Sequence, residues 1–227
     1  MNLPNATATI TAPATAPPGS QPAVTFTLGA AYPVPLVATF TLNDKSGVAS
    51  GATDPAVQFA TGGTTYTVTL PAGTTTLPAL QVQAGTIAAT ITVPVTLTAN
   101  GVNVTPANLA PATIIVPAAT PTVTTATLAR SGNQLTVTET GFSNTREIVS
   151  ASFHFVPVAG ATLTTTDFTV PVTTDFATWF ASPTSLTYGS AFSYVQVFNV
   201  SDDASKIASV QVTLTNSVGV STTQTAQ

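Results

Sequence analysis

His154 is the only histidine of the 227-residue chain, set in the alternating stretch Ser152-Phe153-His154-Phe155-Val156. A histidine acting as general base needs a nucleophile beside it and a carboxylate to orient its ring. The carboxylate on the same stretch, Glu147, is seven residues away, about 23 Å along an extended strand. His154 is therefore expected to be a structural or surface residue. The carboxylates are Asp44, Asp54, Glu139, Glu147, Asp167, Asp175, Asp202 and Asp203. Glycoside hydrolysis would need two of them about 5–10 Å apart, and no local motif pairs them. Asp202-Asp203 offers oxygen ligands to a hard cation but lacks the spaced acidic pattern of a calcium loop, and reads as an ordinary turn. There is no cysteine, hence no thiolate, and one histidine does not make a transition-metal site. No catalytic residue, cofactor site or metal site is assigned, and the chain is not expected to be an enzyme.

Glu139, Arg146 and Glu147 are the densest charge group, at the connection between the second and third strands of the second domain. An arginine with two acids nearby, in so uncharged a chain, is expected to pin that loop rather than to bind a ligand. Trp179 and Phe180, with Phe176, supply aromatic faces that serve either as a platform for a stacked sugar or as the closure of a core. Core closure is the favoured reading, and Trp179 and Phe180 stand as the candidate ligand-facing aromatics. Asn-x-Ser/Thr sequons begin at Asn5, Asn103 and Asn199, weak signals in a chain of bacterial character.

These residues must be carried by strands. Hydrophobic residues make up 44% of the chain and charged residues 5%, against about 25% charged in an ordinary soluble protein. Threonine supplies about a fifth of the residues and takes the place of charge as polar surface. It is β-branched, suits a half-exposed strand face and loses rotamer freedom in a helix. The cations are Lys45, Arg130, Arg146 and Lys206, within a net charge of -4. Four scattered cations form neither the basic stripe that nucleic acid needs nor a patch for an anionic membrane surface. No apolar run reaches the roughly 20 residues of a membrane-spanning helix, so membrane insertion is not expected. Met1-Asn2-Leu3-Pro4 has no basic segment and no apolar core, so no leader is visible. Little charge with abundant Thr, Ala, Val, Gly and Pro suggests an extracellular protein of the bacterial surface.

Alternating stretches recur at 23–28, 36–42, 56–60, 65–70, 80–83, 87–98 and 113–116, each bounded by Pro, Gly, Asn or Ser. Asn100-Gly101 is a hairpin signal within the series. A second series follows at 122–129, 134–140, 147–156, 168–172, 192–200, 207–215 and 218–225, with a helical turn at 175–181. Each series has the strand number of an immunoglobulin-like sandwich. The expected organisation is all-β: an extended N-terminal segment at 1–20, one sandwich at 21–117, a proline-rich linker at 118–121, and a second sandwich at 122–227.

Residues 70–76 (LPAGTTT) and 80–92 (LQVQAGTIAATIT) resemble repeats of large secreted bacterial surface proteins built from Calx-β-like or immunoglobulin-like domains. Residues 141–147 (GFSNTRE) resemble immunoglobulin-like modules of the same proteins. The resemblance covers most of 22–227 and implies tandem extracellular sandwiches. Calx-β domains often carry acidic clusters for calcium, where this first domain has only Asp44 and Asp54.

Sandwiches have edge strands, which proteins blunt with lysine, proline or a covering element. Lys45 and Lys206 are the only lysines, so the 18 prolines do part of that work, and edges paired with neighbouring subunits are a further solution. Ala6, Ala8, Ile10, Ala12 and Ala14 fall on one face of a strand set off by Pro17-Pro18-Gly19-Ser20. This strand is expected to complete a sheet in another copy; pairing within its own domain is the alternative. The expected function is a structural subunit of an extracellular bacterial fibre that assembles head to tail with itself by strand complementation. A monomeric adhesin or carbohydrate-binding module, with a glycan as partner, is the alternative.

Overall fold

The computed structural model describes residues 3–48, 51–201 and 203–227, so Asp202 of the Asp202-Asp203 pair lies outside the described residues. The chain forms two units, one ending at Pro117 and the other beginning at Ala118. Each packs antiparallel sheets around its own hydrophobic core, and the fold is all-β.

The first unit contains β1 (Ala8–Thr11), β2 (Ala23–Leu28), β3 (Leu36–Thr41), β4 (Asn43–Ser46), β5 (Val57–Phe59), β6 (Thr65–Leu70), β7 (Leu80–Ala84), β8 (Ala89–Val93), β9 (Val95–Ala99), β10 (Val102–Asn103) and β11 (Ala112–Val116). They form sheets of order β1-β2-β7-β5, β10-β9-β3-β6 and β11-β8-β4. Strict alternation sends Phe26, Phe40, Ile91, Leu97 and Ile114 into the core, where Phe26 and Phe40 meet edge to face at 5.4 Å.

The single strand expected at 87–98 is two strands in different sheets, broken at Pro94. Proline has no N–H to continue the ladder, and its carbonyl accepts from Thr41 N at 3.1 Å. On the partner ribbon, β3 gives way to β4 at Leu42, so both strands change sheet together. Such a corner is how orthogonally packed sheets are joined. Asn43-Asp44-Lys45-Ser46 has no apolar alternation, so β4 is invisible in the sequence.

The expected separation of the N-terminal segment from its own domain is corrected. β1 pairs antiparallel with β2, Ala8 opposite Leu28 and Thr11 opposite Thr25. Before it, Ala6 N donates to Val104 O at 2.9 Å and Gly29 N to Thr7 O at 2.8 Å. Beyond Pro13 the chain crosses to the other sheet, where Thr15 bridges Ile115 in parallel. There Ala16 N donates to Ile115 O and Ile115 N to Ala14 O, at 2.9 and 3.0 Å. Ala6, Ile10 and Ala16 are buried, whereas Ala8 and Ala12 are half-buried and Ala14 is exposed. The proline crossing interrupts the inward alternation at Ala14, which is exposed between half-buried Ala12 and buried Ala16. Pro17-Pro18-Gly19-Ser20 is a tight turn, not a spacer: Ser20 N donates to Pro17 O at 3.2 Å, and Gly19 takes the φ of +72° that such a turn assigns to glycine.

The second unit contains β12 (Thr122–Ser131), β13 (Gln134–Phe142), β14 (Ser150–Pro157), β15 (Asp167–Pro171), α1 (Thr173–Ala181), α2 (Pro183–Thr187), β16 (Ala191–Asn199), β17 (Ile207–Thr215) and β18 (Gln224–Ala226). Its sheets have the orders β12-β13-β16 and β15-β14-β17-β18. The helical turn expected at 175–181 is part of α1, whose Phe176 and Phe180 are buried. The strand expected at 218–225 shrinks to β18 and one bridge between Thr215 and Val220.

Candidate functional site

The loop from Ser143 to Ile148, between β13 and β14, gathers the polar interior of the second unit. Ser143, Asn144 and Arg146 are all buried, and buried polar groups hold their place only when hydrogen-bonded. Arg146 takes a φ of +53°, a left-handed conformation that costs a non-glycine residue energy. Its guanidinium donates to Gly189 O, to Phe180 O and to Ser185 Oγ, and lies 5.0 Å from the centroid of the Phe180 ring. Phe180 belongs to the last turn of α1, which has no basic residue of its own. Arg146 supplies the cation that a helix C-terminus favours. Ser182 then caps α2 by accepting from Ser185 N, with Pro183 opening the helix.

The same loop holds the start of the unit. Ala119 N donates to Asn144 Oδ1 at 2.9 Å, and Ala119 O accepts from Asn216 Nδ2 at 2.8 Å. Asn216 Nδ2 also reaches Thr145 Oγ1, and Asn216 Oδ1 accepts from Val218 N and Gly219 N. Both backbone groups of Ala119 are thus clamped by buried asparagines. The linker expected at 118–121 is corrected accordingly, since from Ala119 onward it is anchored in the second unit.

Glu139, Arg146 and Glu147 do not act as one charge group. Arg146 pins a loop, as the sequence suggests, but onto carbonyls and a serine. Glu147 Oε1 accepts from Ser217 N at 2.9 Å at the exposed side of the loop. Glu139 points into the sandwich, fully buried, between Ala126 of β12 and Tyr194 of β16. Neither of its oxygens has a hydrogen-bond partner among the described residues. Burial raises its pKa to about 7, so it is largely protonated in mildly acidic solution. The burial was legible in the parity Leu135, Val137, Glu139, but its lack of a partner was not. Burial also pushes Tyr194 up to about 12, with the charges of Asp175 and Glu139 adding to it.

Phe180 is inside the core and presents no face to a ligand. Trp179 is half-buried and donates Nε1 to Ala191 O at 3.0 Å. The exposed aromatic beside it is Tyr188, stacked on Trp179 at 6.4 Å. It was not singled out from the sequence because no apolar pattern surrounds it.

His154 has a carboxylate partner that strand distance had removed from view. Across the β14–β15 hairpin it faces Asp167, with Nδ1 and Oδ1 2.7 Å apart on an exposed sheet face. Thr166 Oγ1 donates to the same carboxylate, and this bond, ahead of the histidine, lowers the Asp167 pKa. The adjoining depression of about 340 Å³ is lined by Ser152, Thr169, Gln211, Thr213 and Thr223. In the first unit, Asp54 is buried and accepts from Ala56 N, Thr86 N and Ile87 N, while Asp44 Oδ2 accepts from Asp54 N. These bonds close the loop at Gly85, where a Cβ would lie 2.7 Å from Asp54 Oδ2. Among the described residues no group of three or more His, Cys, Asp or Glu is positioned to hold a metal, and no helix is long and apolar enough to cross a membrane.

In each unit an early segment runs beside the last strand in the same direction. In the first unit the pair is 14–16 with β11. In the second, Leu128 N of β12 donates to Gln227 O and Gln224 Nε2 to Thr124 O, both at 3.4 Å. No protein-family model matches the chain and no curated protein is similar to it. Among solved structures it is similar to the chicken CNTN1 FN1-FN3 domains, at 11% identity and a TM-score of 0.29. That likeness covers 98% of this chain and 64% of the other, so the chain spans less than two thirds of its length.

Proposed function

We propose that the chain is a non-catalytic, tension-bearing segment of an extracellular bacterial fibre or stalk. The observation that carries this reading is the parallel neighbourhood of an early segment and the last strand in both units, residues 14–16 beside β11 and β12 beside β18. Where these strands run in the same direction, the chain enters a sandwich at one end and leaves it at the other. A pull on the chain then acts along the strands, and the bonds between them are loaded together in shear rather than broken one after another. The clamp on Ala119 supports the same reading, because it passes tension from the connecting segment straight into buried asparagines. Low charge and threonine-rich faces support the extracellular setting.

Forced unfolding is governed by the unfolding rate rather than by equilibrium stability, so the test is mechanical. Stretching the chain between handles at its termini is expected to give two separate unfolding events, one per unit, at high force. A comparison geometry, with handles at the N-terminus and at Ala30→Cys, peels β1 from β2 and is expected to give a much lower force. Equal forces in the two geometries would overturn the load-bearing reading.

A further inference from the structure

We propose that two copies of this chain associate side by side through the free edge of β16. This goes beyond the tension-bearing reading and does not depend on it. β16 closes one side of its sheet and, among the described residues, pairs with β13 alone, over nine residues in unbroken register. No residue from Ala191 to Val200 is charged and none is proline. Other rims of the unit are blunted: β15 carries Asp167 and Pro171, β18 is three residues long, and β12 contains a bulge. A long, unbulged and uncharged edge is the kind on which another strand pairs.

The sequence of β16 selects the partner. A two-fold interface requires that residue i meet j and that j meet i. Antiparallel pairing centred on Gln196 sets Val195 against Val197 of the other copy, Tyr194 against Phe198, and Ser193 against Asn199. Like meets like at each position, on both faces. Val195 and Val197 are 52% and 42% exposed on the outer face, while Gln196 at the centre accepts from Tyr194 Oη and donates to Val197 O, bonds that a partner strand must accommodate. On the inner face Tyr194, Gln196 and Phe198 are only half-buried. Phe198 there packs edge to face on Phe153 and Phe155, each at 5.0 Å, and stands 5.9 Å from the exposed Phe168. A second strand would therefore extend the three-stranded sheet across the two-fold and cover an aromatic seam that one copy leaves open. The self-partner expected from the sequence is retained, but the strand that meets it is β16 rather than residues 6–14.

Sedimentation velocity of the full chain over a wide concentration range is expected to show a weak, reversible dimer. Val195→Lys with Val197→Lys places like charges against each other and is expected to abolish it. Both positions are exposed, and Trp179 fluorescence checks that the second unit remains folded. Because the chain has no cysteine, the register can be read directly. Gln196→Cys, opposite itself at the two-fold, is expected to form a disulfide-linked dimer on mild oxidation, since facing residues of antiparallel strands lie within disulfide reach. Ser193→Cys, far from its own copy in this register, is expected not to. A wild-type chain that stays monomeric at the highest concentration overturns the proposal. So does a dimer untouched by the lysine pair, or equal cross-linking by both cysteine variants.

Discussion

Glu139 and Arg146 show opposite ways of burying an ionisable side chain. Glu139 has no partner for its charge, so the folded state keeps a proton that the unfolded chain has released. Its pKa is about 7 when folded and that of an ordinary glutamate when unfolded. Between these values unfolding releases a proton, and stability falls as pH rises. The loss amounts to roughly 3 kcal/mol by a little above pH 7. Calorimetry from pH 4.5 to 7.5 is expected to show the second unit melting at falling temperature, and Glu139→Leu is expected to flatten that slope. Arg146 instead satisfies its charge on the carbonyls of Gly189 and Phe180 and on Ser185. Arg146→Ala removes the guanidinium donors to the Gly189 carbonyl and to the Phe180 carbonyl, which keeps only its Ser185 Oγ bond, and removes the cover from Phe180. A loss of about 3 kcal/mol is expected. It is measurable by denaturant titration of Trp179 fluorescence, which reports on the second unit alone because Trp179 is the only tryptophan.

At the scale of elements, the N-terminal strand shows how far alternation carries an argument. The alternation of Ala6, Ala8, Ile10, Ala12 and Ala14 pointed to one strand with one inner face; the strand forms at Ala8–Thr11 with Ile10 buried, whereas Ala14 is exposed. Which sheet it joins depends on a crossing at Pro13 and on pairing with β11, about a hundred residues away in sequence. No local pattern encodes that choice. Ile10→Ala is expected to destabilise the first unit by roughly 2–5 kcal/mol while leaving the unfolding of the second unchanged. Near-normal stability of that variant would mean that the strand lies elsewhere. The same contrast separates β2, β6 and β17, whose expected limits coincide with the observed ones, from the run at 87–98. There Pro94 was present in the sequence, but only the sheet corner shows that it divides two strands. His154 and Asp167 are a further case, since a hairpin register brings together residues that look remote along the chain.

For the whole molecule, composition was enough to place the chain among all-β proteins. Threonine and β-branched residues favour a pleated, half-exposed surface, and turn residues recur at strand-length intervals. Two series of strands separated by Pro117-Ala118-Ala119-Thr120-Pro121 were enough for two sandwiches, because strand periodicity and turn chemistry are properties of neighbouring residues. Tertiary structure decided what depends on distant residues meeting. It assigned residues 3–16 to the first unit and anchored Ala119 in the second. It sent Arg146 to helix α1 rather than to its neighbouring acids, left Glu139 without a partner, and put β16 on the rim of its sheet. The scarcity of charge identified in the sequence implied that some edge would be left unguarded. The order of strands determined which edge that is, because a free edge is a property of the sheet and not of the strand.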